Sequence, residues 1–573
     1  MAALLLDTEI TIATPEQAAY RYRVAGPLAR AGAFLIDVLL ALAVILLAWF
    51  VAGLLGFLAG GFGTMRGLGM LATFLVVWVA GAVVEWRWKG RTPGKAIFGL
   101  RTVTLEGGPP PFGVAVLRTL LRSADALPTV AMALVTMTWT EGFRRLGDLA
   151  AGTIVVHEDE RWILRRRIIP MSKAEADLAA RLPAEVGLVV DAPALRAITA
   201  YVQRRQDYHD ARRRELAGHY AGPLAARLGL PPSTDPDRLL VAVHHRLTGA
   251  VDDRALARGA AYLAKREGEW ARLERLAAEP QPSPLDFARL YRSASADLAL
   301  AEALHLPHRV LAQLHRTVAL AHRAFHPPAS LDRAGFRRLV LVEVPGRLYG
   351  DACLRIAVIA FFGTFLLAML LAAMRPGTAE AVLGAGFVDR LHDMYLTAPQ
   401  DRSADEAVAM HGFYISNNVG ITLACFAAGV FLGVGSLIML VFNGVVLGMA
   451  FGVMLIADDA TRQHFFTFVM AHGPCELTGI ALGGAAGLRL GLGVVDTGGL
   501  PRLEGLRRSA AQALPILGVA AGLVALAAPI EAWVSPSSLP PMAKALVALV
   551  TALGLIGYLI VLGARARREV DRG

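Results

Sequence analysis

Hydrophobic positions along this chain gather into long unbroken runs, not into the alternation of a half-buried strand. The longest, Gly420 to Ala457, holds thirty-eight residues without a charge until Asp458. At about 1.5 Å per residue a helix of that length is nearly twice the roughly 30 Å hydrocarbon thickness of a bilayer, so the run predicts a membrane hairpin, bent near Gly433-Val434-Gly435. Comparable runs predict spans near residues 28–58, 68–86, 352–373, 415–433, 436–457, 465–490, 511–533 and 542–562. Residues 112–139 are also apolar, but Arg118, Arg122, Asp125 and Pro128 interrupt them. A third crossing there would carry the basic residues Arg161 to Arg167 outward. A re-entrant or interfacial hairpin packed on the first two spans is therefore expected.

Between the two apolar regions the pattern changes. Leu195, Ile198 and Val202, and later Phe287, Leu290, Tyr291 and Leu298, recur at helical spacing among arginines and alanines, with breaks near 231–237 and 279–284. The expectation is an all-α polytopic membrane protein of about eight transmembrane helices plus the hairpin. A membrane domain at 1–157, a cytoplasmic helical bundle at 158–345 and a six-helix membrane domain at 346–573 would make it up.

Composition agrees: 55% of the 573 residues are hydrophobic and only 18% charged. The net charge of +10 could suggest nucleic acid, but arginines concentrated beside spans have a simpler cause, holding loops in the cytoplasm, so no nucleic acid is expected as a partner. Arg489, Arg502, Arg507 and Arg508 fall on the side shared with Arg565, Arg567 and Arg568, whereas Asp389, Asp393, Asp401, Asp405 and Glu406 mark the opposite loop. Positive-inside logic places both termini and the bundle in the cytoplasm, at a bacterial inner membrane. The first ten residues carry no basic flank before an apolar core, so no cleavable signal peptide is expected. Cys353, Cys425 and Cys475 lie in or beside apolar runs and suggest no disulfide framework.

Polar residues at membrane depth are the candidate chemistry. Arg30 and Asp37 share one face of the first span, where a lone charge costs at least ~2.5 kcal/mol on insertion scales. Arg118 or Arg122 is the expected partner of Asp37, and Asp148 that of Arg30; the result is a structural ion network or, alternatively, a proton or cation path. In His472-Gly473-Pro474-Cys475-Glu476, Pro474 suits a first helical position and Gly473 its cap. A broken helix with Glu476 on its first turn is expected, a device that binds ions in transporters or merely caps itself. Asn417, Asn418, Asn443 and Glu531 serve as interhelical glue or, with Glu476, form a polar interior. One histidine and one carboxylate are too few for a dedicated zinc site, so no metal or cofactor is expected. No HExxH, GxSxG or paired-carboxylate spacing suggests an enzyme. His244, His245 and His322 read as solvated. Gly444, Gly448, Gly479, Gly483 and Gly487 recur every fourth residue, making ridges for close packing within the chain or in a homo-oligomer.

Three stretches resemble the RDD family of bacterial membrane domains: Thr14 through Arg30 to Asp37, Arg91-Thr92-Pro93-Gly94-Lys95 with Gly99 to Val103, and Arg145-Leu146-Gly147-Asp148 to Val156. The resemblance implies that Arg30, Asp37 and Asp148 are the family's named residues, and transport or cation exchange has been suggested for some members. Thr92 to Lys95 reads as a turn with a headgroup-facing lysine, since it lacks the glycine spacing of a phosphate loop. Phe413 to Asn418, Gly429 to Gly435, Asn443-Gly444, His472-Gly473 with Glu476, and Ala528-Pro529-Ile530-Glu531 are similar to the stage II sporulation protein M family. That resemblance implies a membrane anchor of envelope machinery. The expected function is a non-catalytic scaffold or regulator of a cell-envelope complex, with the lipid bilayer and proteins docked on the cytoplasmic bundle as partners. The alternative is a transporter or channel using intramembrane carboxylates.

Overall fold

The computed structural model describes residues 9–13, 19–59, 61–105, 107–125, 131–157, 172–183, 186–205, 208–231, 233–248, 261–279, 283–303, 308–325, 333–375, 377–397 and 402–570. Pro128, Arg161 to Arg167 and Asp401 lie outside them. The chain forms two compact units, one of residues 1–12, 22–158 and 328–573, the other of residues 13–21 and 159–327. Both membrane regions fall within the first of these units.

Among the described residues six helices are long and apolar enough to cross a bilayer: Pro27–Leu58, Phe62–Arg87, Ala352–Met374, Val434–Leu455, Arg502–Val534 and Pro541–Arg568. A seventh candidate is the pair Asp459–Met470 and Gly473–Leu492, which bends by 62°. The predicted span at 415–433 lies in a continuous helix over 404–428 that ends at the Gly429 turn. It is not among those six, because Tyr414, Asn417 and Asn418 dilute its hydropathy. The predicted bend holds: Gly433, at φ 81°, caps the helix Val434–Leu455.

The doubtful apolar segment resolves into Phe112–Leu120 and Ala131–Trp139, nine residues each. At 1.5 Å per residue each is about 14 Å long, too short to cross. The purely helical expectation needs a small correction here, since Leu100–Thr104 and Thr153–His157 pair as antiparallel strands, Leu100 opposite His157 and Thr104 opposite Thr153. Their β-branched residues favour that conformation.

The glycine ridges are used inside the chain. A Cβ at Gly448 would stand 2.3 Å from Phe365 O, and one at Gly444 2.6 Å from Phe361 O, so Val434–Leu455 rests backbone to backbone on Ala352–Met374. Gly479 meets Ala520 and Val524, Gly483 meets Thr422, and Gly487 meets Cys425 and Ser436.

The same device joins the two membrane regions. A Cβ at Gly412 would lie 2.2 Å from Gly67 O, and one at Gly67 2.1 Å from Val408 O. One turn earlier Asp405 accepts hydrogen bonds from Gly63 N at 2.7 Å and Thr64 N at 2.5 Å. It thus caps the second span, whose own Gly61 offers no side chain for the purpose. Charge read from the loops gave Asp405 only a topological meaning. A shared core backs the contact, with Phe74, Leu117 and Leu121 packed in one cluster with Val419, Leu423 and Leu506.

In the other unit the periodic residues are buried, but around two cores. Ile198, Val202 and Leu239 belong to one; Trp270, Phe287, Leu290, Tyr291 and Leu298 belong to the next. The Trp270 indole donates to Asp297 at 2.8 Å. His322, expected in solvent, is half-buried with Nδ1 2.8 Å from the Tyr291 hydroxyl.

Two outcomes follow from the docking contact. Gly412→Leu should cost about 1–3 kcal/mol by overpacking, read as a lowered Tm of the detergent-purified chain, whereas Gly420→Leu, whose added Cβ meets nothing, should be nearly silent. The Thr64 and Gly63 amides hold the Asp405 carboxyl below its ordinary value. Its stabilisation is therefore complete above the unfolded carboxyl pKa near ~3.9 and is lost as pH falls through the lowered folded value. Melting curves against pH should show an acid-side loss that Asp405→Asn reduces.

Candidate functional site

In the first membrane region the polar network centres on Arg118, whose side chain is 1% exposed. The short helix Phe112–Leu120 carries it under the strand pair, where it bonds Asp148, lies 3.2 Å from Glu85 and donates to Thr153 Oγ1 at 2.6 Å. Arg30 completes the arrangement by pairing with the other oxygen of Asp148, as expected, and also reaches Phe143 O. Asp148 sits on the first turn of Leu146–Ala151 and accepts from Arg145 N at 3.1 Å, which aims its carboxylate inward.

Asp37 departs from the expectation. Its partners are Thr92 Oγ1 at 2.6 Å and Gly94 N at 2.7 Å, free donors at the start of the helix Pro93–Ile97, and not Arg118 or Arg122. A helix N-terminus satisfies a carboxylate as well as an arginine does, which leaves Arg118 to bridge two other acids. The Arg122 guanidinium lies over the Phe34 ring, 5.5 Å from its centroid. Lys95 does not face a headgroup: its Nζ is 2.5 Å from Glu85 and 2.9 Å from Thr102 Oγ1. Glu85 was missed by sequence reasoning. The signal was present, a single carboxylate one residue before the end of an apolar span.

The second constellation gathers at the bend between Asp459–Met470 and Gly473–Leu492. His472 caps the latter helix, one residue earlier than expected, and Glu476 lies on its first turn. Glu531 comes from the long helix Arg502–Val534 and Asn418 from helix 404–428, each within a π-helical turn, two of six such turns among the described residues. His472 Nε2 lies 3.8 Å from Glu476 Oε2 and 3.9 Å from Glu531 Oε1. Its Nδ1 is hydrogen-bonded to Ser535 Oγ at 2.8 Å. Asn418 donates to Glu531 Oε2 at 3.2 Å and accepts from Asn417 at 2.7 Å. Ser535 is itself held, because the buried Lys544 Nζ donates to Ser535 O at 2.7 Å and Ser537 O at 2.8 Å.

Asn418 lies thirteen residues beyond Asp405, roughly 20 Å along its helix, and Glu531 three residues before the end of the span Arg502–Val534. Asn443 stays outside this group and donates to Met439 O of its own helix at 2.7 Å. The count of one histidine and one carboxylate also changes: His472, Glu476 and Glu531 present ligand atoms that all lie within 4.8 Å of one another. Nothing in the sequence spacing ties Glu531 to His472, which stands fifty-nine positions away.

Spanning helices, glycine-mediated packing and paired intramembrane charges define a multi-pass, almost wholly helical membrane protein. Residues 24–152 match the model of the RDD family, residues 357–536 that of stage II sporulation protein M, and residues 260–327 that of a domain of unknown function (DUF8413). The chain thus joins an RDD family domain to a stage II sporulation protein M domain within one membrane body. Comparisons with curated proteins and with solved structures returned no match.

The network ranks its members in a way the family name does not. Removing one partner of a buried ion pair costs 3–5 kcal/mol. Glu85→Gln, which leaves Lys95 without its carboxylate and Arg118 with Asp148 alone, should therefore destabilise by about 3 kcal/mol, and more than Asp37→Asn, which keeps an acceptor for Thr92 and Gly94. Thermal melts of the two variants side by side check the order.

Proposed function

We propose that the chain is a non-enzymatic scaffold or regulator of a bacterial cell-envelope complex. It sits in the cytoplasmic membrane with both termini and the 159–327 unit on the cytoplasmic side. The observation that carries this reading is the docking of Gly67 on Gly412 beneath the Asp405 cap. It ties an RDD domain to a stage II sporulation protein M domain in one compact unit, which suits an assembly point better than two independent modules would. The helical unit, with its own cores and an exposed Leu285, supplies a surface for protein partners. Orientation rests on charge: Asp405 meets the turn between the first two spans, while Arg507, in the arginine-rich segment at the other end, reaches Leu149 O at 3.4 Å.

A second reading, a transporter for an ion or small solute, draws on the intramembrane His472, Glu476 and Glu531. The two part experimentally. Crosslinking and affinity purification from native membranes should recover a protein partner with the full chain and lose it when residues 159–327 are deleted. Cation flux into vesicles that disappears in Glu531→Gln, with no partner recovered, would instead establish the transporter.

A further inference from the structure

We infer that His472, Glu476 and Glu531 form an intramembrane binding site for a divalent transition cation of the zinc or manganese class. The inference holds whether the protein is a platform or a transporter.

Three features of the geometry point to it. First, the donor set is mixed: one imidazole nitrogen and two carboxylates, a combination that suits borderline divalent ions. Second, the donors converge without touching. The Nε2 atom stands 3.8 and 3.9 Å from the two carboxylates, beyond hydrogen-bond length, so these groups do not satisfy one another directly. Ligands held about 2.1 Å from one ion stand roughly 3–4 Å apart, and these three, all within 4.8 Å of one another, need close by at most about 1–2 Å. Third, two of the three donors, His472 and Glu531, are steered from behind. Ser535 Oγ is hydrogen-bonded to His472 Nδ1, which turns Nε2 toward the carboxylates, and Asn418 holds the far oxygen of Glu531. Metal sites commonly carry such an outer layer of hydrogen bonds, and here it extends to Lys544, which fixes the Ser535 carbonyl.

Charge supports the same conclusion. Two carboxylates buried together at membrane depth repel each other and lack water, so they require positive charge between them. Arg402 lies over the Phe468 ring, 5.7 Å from its centroid, and Phe468 packs on His472, but no ion pair between Arg402 and either glutamate is present within 4.0 Å. A cation bound by all three donors meets that requirement directly, and protons shared by the glutamates are the competing solution.

The test uses the full chain, purified in detergent and stripped with a chelator. Equilibration with Zn²⁺ or Mn²⁺ followed by elemental analysis should return one ion per chain. Co²⁺ as a probe should give the visible absorption of a nitrogen and oxygen ligand set. His472→Gln and Glu531→Gln should remove the ion, and Ser535→Ala, a mild change outside the ligand set, should weaken binding 10–100-fold. No stoichiometric ion and no cobalt spectrum in the unaltered protein would overturn the site and leave the protons in its place. An ion retained in both ligand variants would overturn it equally.

Discussion

Lipid chains are as apolar as leucine, so helices in a bilayer gain little by burying leucine against leucine. They are held instead by close backbone approach and by polar groups that satisfy one another. Both devices meet where Phe62–Arg87 lies along helix 404–428. Gly67 and Gly412 let the two backbones touch, and Asp405 closes the amides at the head of the partner helix. Through this contact the Arg118 network of one family domain and the His472 group of the other stand in a single body.

The two polar centres solve the same problem differently. Around Arg118 charges of both signs pair side chain to side chain, with Glu85 and Asp148 bridging Arg30, Lys95 and Arg118. Threonines from the strand pair take up the remaining donors. Around His472 the acids are brought together, and among the described residues no lysine or arginine forms an ion pair with either within 4.0 Å. The first centre ties helices together through ion pairs, and the second is the one on which the cation proposal rests.

Much of this was legible in the sequence, and the reasons for what was not are physical. Long apolar runs mark helices because 1.5 Å per residue must add up to a bilayer, and the bend at Gly433 and the break at His472 follow from glycine and proline chemistry. Arg30 with Asp148 could be paired from cost alone. Asp37 was misassigned because a helix N-terminus offers donors that no charge count reveals, and Lys95 because its partner Glu85 hides inside a span. Glu531 could be grouped with His472 and Glu476 in one polar cluster, but its 3.9 Å approach to His472 is created by tertiary packing that no spacing reveals. The docking of the two family domains was likewise invisible: Asp405 counts as one more acidic loop residue until Gly63 and Thr64 are seen beneath it.

The claim that the two family domains form one body is tested most directly by severing the chain between them. Residues 1–158 and 328–573, encoded as separate polypeptides and produced in the same cells, should co-purify as a one-to-one complex, and Gly412→Leu should separate them. Two polypeptides that each enter the membrane yet never co-purify would contradict the account.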